Sequence, residues 1–207
     1  MAERKPAYRI AVFASGSGSN FQAIVDAVAC KELDVQIELL VCDRPQAYVV
    51  ERAKQAEVPV FAFKPKEYPN RQAYEKEILQ QLEERGIQLI VLAGYMRIVT
   101  NVLVDAFAGR MINIHPSLLP SFPGVDGIGQ ALAYGVKITG VTVHYVDGGL
   151  DSGPIITQQV VAILAGDTIE TLSERMHAVE HELFPQVIGW ISEGRVKLEG
   201  RQVTITA

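Results

Sequence analysis

Between Met111 and Gly124 an apolar strand pattern gives way to Asn113-Ile114-His115-Pro116-Ser117-Leu118-Leu119-Pro120 and then a second Pro-Gly pair. Asn113 and His115 stand two apart, so an extended backbone points both side chains to one face. The amide of Asn113 can donate to an oxygen. The imidazole of His115 can give or take a proton near neutrality. Pro116 and Pro120 remove backbone donors and restrict φ, which ends the strand and builds a stiff loop beside the pair. A donor and a proton carrier on one face at a strand end suit chemistry in which an oxygen gains negative charge while a proton moves.

Other polar groups fall at turns. Ser15-Gly16-Ser17-Gly18-Ser19-Asn20 closes an apolar run and opens a helical one. Its N–H groups and the positive helix end can hold an anion, with glycines permitting close approach. The dinucleotide fingerprint needs a third glycine where this chain has Phe21, and no Gly-Lys-Ser/Thr for a nucleoside triphosphate is present. A monophosphate ester fits better, a plain Gly-rich turn being the alternative. Gly94-Tyr95-Met96-Arg97-Ile98 offers an apolar wall with one cation, and by itself reads as a structural turn. Asp151 alone reads as a turn aspartate. His144 reads as a satisfied strand histidine, and His177 and His181 share a helix face. They have no third ligand, so a metal is not expected.

The elements that must position these groups follow from periodicity. Strands are expected at 8–14, 35–42, 58–63 and 88–93, alternating with helices from Phe21, over 48–56 and over 71–85. QLIVLA, residues 88–93, is apolar throughout, as in a parallel strand covered on both faces. A short helix at 101–107 precedes the strand carrying Asn113 and His115, and another is expected over 126–134. From Lys137 two β-branched runs, 138–146 and 154–163, flank the Gly-rich stretch 147–153 as a hairpin-like excursion. A long helix over 168–192 and a small hairpin from 196–198 and 203–205 complete the chain. The whole reads as an α/β sheet, parallel first and antiparallel later.

The chain has 207 residues, 48% hydrophobic, with a formal net charge of -5. That is ample for one core, and no basic run supplies a footprint for nucleic acid. No apolar stretch reaches the roughly 18 residues of a membrane span, and with residues 1–6 polar and short neither a span nor a secretory signal is expected. Cys30 and Cys42 are isolated in apolar patterns and are expected to be packing residues in a reducing, cytoplasmic compartment.

Four motifs occur in an order that resembles the glycinamide ribonucleotide formyltransferase family: Ser15–Asn20, LAGYMRI at 92–98, NIHPSLLP at 113–120 and LDSGP at 150–154. The cluster of Asn113, His115 and Ser117–Pro120 with the later Asp151 is shared with other users of 10-formyltetrahydrofolate, the methionyl-tRNA formyltransferases and formyltetrahydrofolate hydrolases. The glycine-rich turn and the length point to the purine family. The resemblance implies a single formyltransferase domain, an open twisted sheet with a Rossmann-like phosphate-binding half over 1–100 and a folate-binding and catalytic half over 101–207. It implies that the amine of glycinamide ribonucleotide attacks the formyl carbon of 10-formyltetrahydrofolate, with no metal, in a monomer or homodimer. Asn113 would donate to the oxyanion, His115 would stabilise it and relay a proton, and Asp151 would favour the imidazolium. Gly18, Ser19 and Asn20 would bind the phosphate and Glu180 the amine. Arg71, Met96, Arg97, Ile98, Val99, Asn113, Val146, Asp147 and Leu150 would line the folate pocket. Residues 125–130, with two glycines, would form an adaptable loop that orders on binding.

Overall fold

The computed structural model describes residues 7–206. Its centre is a seven-stranded sheet of order β3-β2-β1-β4-β5-β6-β7. The strands are β1 (Tyr8–Ala14), β2 (Val35–Cys42), β3 (Val60–Ala62), β4 (Leu89–Leu92), β5 (Met111–His115), β6 (Ile138–Tyr145) and β7 (Ile155–Ala162). Pairing is parallel from β3 through β5. β6 then runs antiparallel to both β5 and β7. Helices α1 (Ser19–Ala29), α2 (Tyr48–Gln55), α3 (Arg71–Glu84), α4 (Asn101–Ala106), α5 (Gly127–Tyr134) and α6 (Ile169–Ser192) cover the faces, and β8 (Val196–Glu199) with β9 (Gln202–Ile205) forms a separate hairpin.

Alternation along the strands divides the core in two. Ile10, Val12 and Ala14 of β1 join Phe21 and Ile24 of α1 and Met176, Phe184 and Val187 of α6 on one face. Ala11 and Phe13 face Tyr74, Ile78 and Leu82 of α3 and Leu103 of α4 on the other. Burial of both sheet faces by helices explains why β4 is apolar at every position.

The strand order reverses between β1 and β4, and ligands of open α/β sheets gather beyond the carboxyl ends of strands at such a point. The turn after β1 and the turn after β4 meet there, with the Ser15 N–H donating to the Gly94 carbonyl at 3.0 Å. Phosphate turn and apolar wall, 74 or more residues apart in sequence, are thereby made neighbours.

Four expectations are corrected. The third strand spans only Val60–Ala62 because Pro59 has no N–H for the ladder, although its carbonyl accepts from Leu40 at 2.8 Å. The first helix begins at Ser19, two residues before Phe21, because Gly18 at φ 74° already turns the chain. Residues 127–130 are not a loop but the first turn of α5, capped by the Asp126 carboxylate, which accepts from Gly129 N–H at 3.1 Å. Cys42 is buried, but Cys30 is exposed, since it caps the end of α1 beyond its apolar stripe.

Candidate active site

β5 carries Asn113 and His115, and the antiparallel register sets His144 of β6 directly opposite Asn113. The Asn113 Nδ2 lies 3.2 Å from His144 Nε2. His144 Nδ1 sits 2.8 Å from the Tyr145 carbonyl, which can only accept, so Nδ1 bears the proton. In the neutral ring Nε2 is then an acceptor, met by the amide nitrogen of Asn113. That contact fixes which way the Asn113 amide faces and leaves its second N–H without a partner among the described residues.

His115 is buried, and its Nε2–H donates to the Phe122 carbonyl at 2.9 Å. Nδ1 is the nitrogen left to exchange a proton, and it lies 3.6 Å from Asp151 Oδ2. Asp151 Oδ1 is 3.8 Å from His144 Nε2. The aspartate occupies a left-handed conformation, φ 49°, that short polar residues tolerate, and its Oδ2 accepts from Gly124 N–H at 2.7 Å. The loop holding these carbonyls and amides is itself pinned. Thr142 Oγ1 donates to Ser117 O and accepts from Leu119 N–H, while Gln158 donates to both Thr142 Oγ1 and Leu119 O. Gly127 closes over the site; a Cβ there would come within 3.0 Å of the Pro116 carbonyl and 3.4 Å of His115 Nε2.

Burial holds His144 below the usual histidine range, against the Tyr145 carbonyl and the charges of Asp151 and Asp147, with His115 adding to the lowering. The unfolded chain therefore binds a proton that the folded chain resists, so this stability is present above the unfolded value of 6.5 and fades as pH falls through the lower folded one. The melting-temperature advantage of the wild type over His144→Asn should shrink between pH 7.5 and pH 5.5, in steps of about half a pH unit. An unchanging gap would mean that His144 is not held neutral.

After β1, Gly18 is the N-cap of α1, and Ser19, Asn20 and Phe21 leave their first-turn amides without helical acceptors. Asn20 Nδ2 donates to Glu180 Oε2 at 2.9 Å, tying α1 to α6. Glu180 is 5% exposed, buried and not on a solvated face. Burial pulls its carboxyl up, opposed by the Asn20 hydrogen bond and by His177 and His115. The Asn20 Oδ1 is buried with no donor among the described residues. His177 and His181 stack with centroids 6.2 Å apart, and no metal-sized group of His, Cys, Asp or Glu occurs among the described residues.

Met96, Ile98 and Leu150 are large apolar residues left more than half exposed. Val99 and Val146 pack at the edge of the second core. Burial raises Asp147, yet the Ser152 hydroxyl, the Gly149 N–H and Arg201 together hold it below the usual carboxylate range. Arg71 opens α3, exposed, and makes no hydrogen bond or ion pair among the described residues.

Sequence reasoning passed over three partners. His144 becomes part of the cluster through the β5–β6 register, a signal legible only once the two strands are aligned. Asp43, 2% exposed at the end of β2, accepts from Arg97 Nε at 2.7 Å and from Ser15 Oγ at 2.5 Å. Glu75 of α3, also buried, accepts from both Thr100 N–H and Thr100 Oγ1.

Residues 8–188 match the family model described as formyl transferase. The chain is similar to the phosphoribosylglycinamide formyltransferase of Bacillus subtilis (strain 168), 53% identical over 180 residues, covering 87% of this chain and 92% of that one. It is 38% identical to the protein of the same name from Escherichia coli (strain K12) over 189 residues, 91% of this chain and 89% of that one. The crystal structure of glycinamide ribonucleotide transformylase 1 from Symbiobacterium toebii superposes with a TM-score of 0.96 at 43% identity, covering all of this chain and 98% of that one.

Proposed function

The chain belongs to the formyl transferase family, and from that premise we propose that it is a phosphoribosylglycinamide formyltransferase, moving the formyl group of 10-formyltetrahydrofolate to the glycinamide amine of the ribonucleotide. The observation that carries this reading is that a Gly-rich helix N-terminus after β1 and the Asn113–His115–Asp151 cluster at the end of β5 both lie at carboxyl ends of parallel strands flanking β4, joined through Asn20 and Glu180, whose carboxyl feels His115.

The ribonucleotide phosphate sits on the amides of Gly18, Ser19 and Asn20, and Glu180 with Asn20 Oδ1 accepts from the amine end. Asn20 Oδ1 is a buried acceptor for which the amine supplies the missing donor, beside the Glu180 carboxylate. The pterin lies against Met96, Ile98, Val99, Val146 and Leu150, with Arg97, Arg71 and Asp147 as the charged groups of that side. Attack of the amine on the formyl carbon makes a tetrahedral centre whose oxygen gains the charge. The free N–H of Asn113 is aimed for such an oxygen, a contact worth about 3 to 4 kcal/mol when removed from comparable sites. The His115 Nδ1 proton lies between Asp151 and the reacting centre, so the imidazolium stabilises the oxyanion and supplies the proton with which the folate nitrogen departs. Asp151 then receives, directly or through a water, the proton lost by the amine. Atoms balance: one C–N bond forms, one breaks, and one proton passes from amine to folate nitrogen.

A free-standing formyl-folate hydrolase would use the same cluster on water, and the Gly-rich turn favours the ribonucleotide instead. The test is the absorbance change as 10-formyltetrahydrofolate loses its formyl group, with and without ribonucleotide. Change only in its presence supports transfer. An equal rate without it would identify a hydrolase.

A further inference from the structure

We propose that Asp43 is a positioning residue for the formyl donor: it locks Arg97 by one nitrogen so that the rest of the guanidinium is presented, already oriented, to the folate side of the site. This rests on the reading of that side given above.

The Asp43 side chain has no exposed surface, whereas that of Arg97 is 37% exposed. A buried carboxylate is costly unless both oxygens are satisfied, and both are: Oδ2 by Arg97 Nε and Oδ1 by the Ser15 hydroxyl. Ser15 in turn accepts the Met96 N–H at 2.8 Å. One carboxylate therefore fixes the Arg97 side chain directly and, through Ser15, the backbone of the residue before it. At the far end of the same segment Glu75 holds Thr100, so 96–100 is pinned at both ends. Only Nε of Arg97 is engaged by Asp43, which leaves both terminal NH2 groups, four donors in one plane, without a hydrogen-bond partner among the described residues on a side chain that is 37% exposed. A planar donor pair fits a carbonyl or carboxylate on the ligand. An arginine free to swivel would lose rotamer freedom on binding; one held by a buried partner has already lost it.

Steady-state kinetics on full-length Asp43→Asn, Arg97→Ala and the double variant test this. Asparagine keeps the volume but cannot both accept from Arg97 and receive the Ser15 hydroxyl proton. The donor KM should rise roughly tenfold, the size expected for a lost charge-assisted hydrogen bond, with kcat and ribonucleotide KM changed less than about twofold. The double variant should be no worse than Arg97→Ala alone. A donor KM at the wild-type value, or additive losses in the double variant, would overturn the proposal. Should Asp43→Asn fail to fold, Arg97→Lys, which keeps the charge but lacks the fork, must show the same donor-specific rise, and a wild-type KM there overturns it too. Calorimetry with tetrahydrofolate separates this from the assigned reaction. If the wild type does not turn over, weaker tetrahydrofolate binding by Asp43→Asn still supports the positioning role, and equal binding refutes it.

Discussion

Alanine at Asn113, His115 or Asp151 is expected to lower kcat by about a hundredfold to ten-thousandfold while leaving the melting temperature within a few degrees of wild type. The three losses differ in kind. Asn113→Ala removes the N–H aimed at the oxyanion and frees His144 Nε2 of its donor. His115→Ala removes the imidazole whose Nδ1 faces Asp151, already oriented through Nε2 by the Phe122 carbonyl. Asp151→Ala removes the charge 3.6 Å from that nitrogen and releases the Gly124 amide, so the loop beside the site loosens as well. Because the three act on one transition state, pairs of substitutions should cost far less than the product of the singles. Single-turnover kinetics with both substrates saturating is the check. A variant with near wild-type turnover would remove that residue from the mechanism.

Gly18→Val should raise the ribonucleotide KM by about ten- to a hundredfold with a much smaller change for the donor. Two independent features of the position produce this. At φ 74° a β-branched side chain is strained, and the added Cβ would lie 2.4 Å from Val49 Cγ2 and 3.0 Å from the Val49 Cα. The Cγ2 can turn aside, but the backbone atom cannot, so the turn itself must move and carry the Ser19 and Asn20 amides with it. Because Val49 N–H also donates to the Gly16 carbonyl at 3.2 Å, α2 is the backing of this turn and cannot simply retreat. Equal effects on both substrates, measured by varying each at saturation of the other, would contradict the phosphate assignment.

What the sequence made legible was what depends on local pattern. The two-residue spacing of Asn113 and His115 placed both on one face of an extended run, and an apolar run without alternation identified β4 as covered on both sides. Phe21, where a dinucleotide fold has glycine, is fully buried in the first core, so the departure from that fingerprint has a packing cause. Contacts set by register or crossover were beyond local pattern. His144 reads alone as a strand histidine and acquires its role only from standing opposite Asn113. Glu180 is 160 residues from Asn20, and helical periodicity alone cannot say that this carboxylate turns inward. Asp43 lies one residue past a strand in a stretch with no motif, and its meaning comes from β1, β2 and β4 ending side by side. The glycines at 127 and 129 suggested adaptability, but one is there because His115 and the Pro116 carbonyl pass close by and the other because the Asp126 cap occupies the space of a Cβ.

The claim that formyl passes directly from folate to the ribonucleotide amine is tested most directly by the fate of the formyl carbon. With that carbon labelled in 10-formyltetrahydrofolate and both substrates present, all label released in one turnover should be recovered on the ribonucleotide amine. Label recovered as free formate, with the ribonucleotide unlabelled, would contradict the account and leave water as the nucleophile.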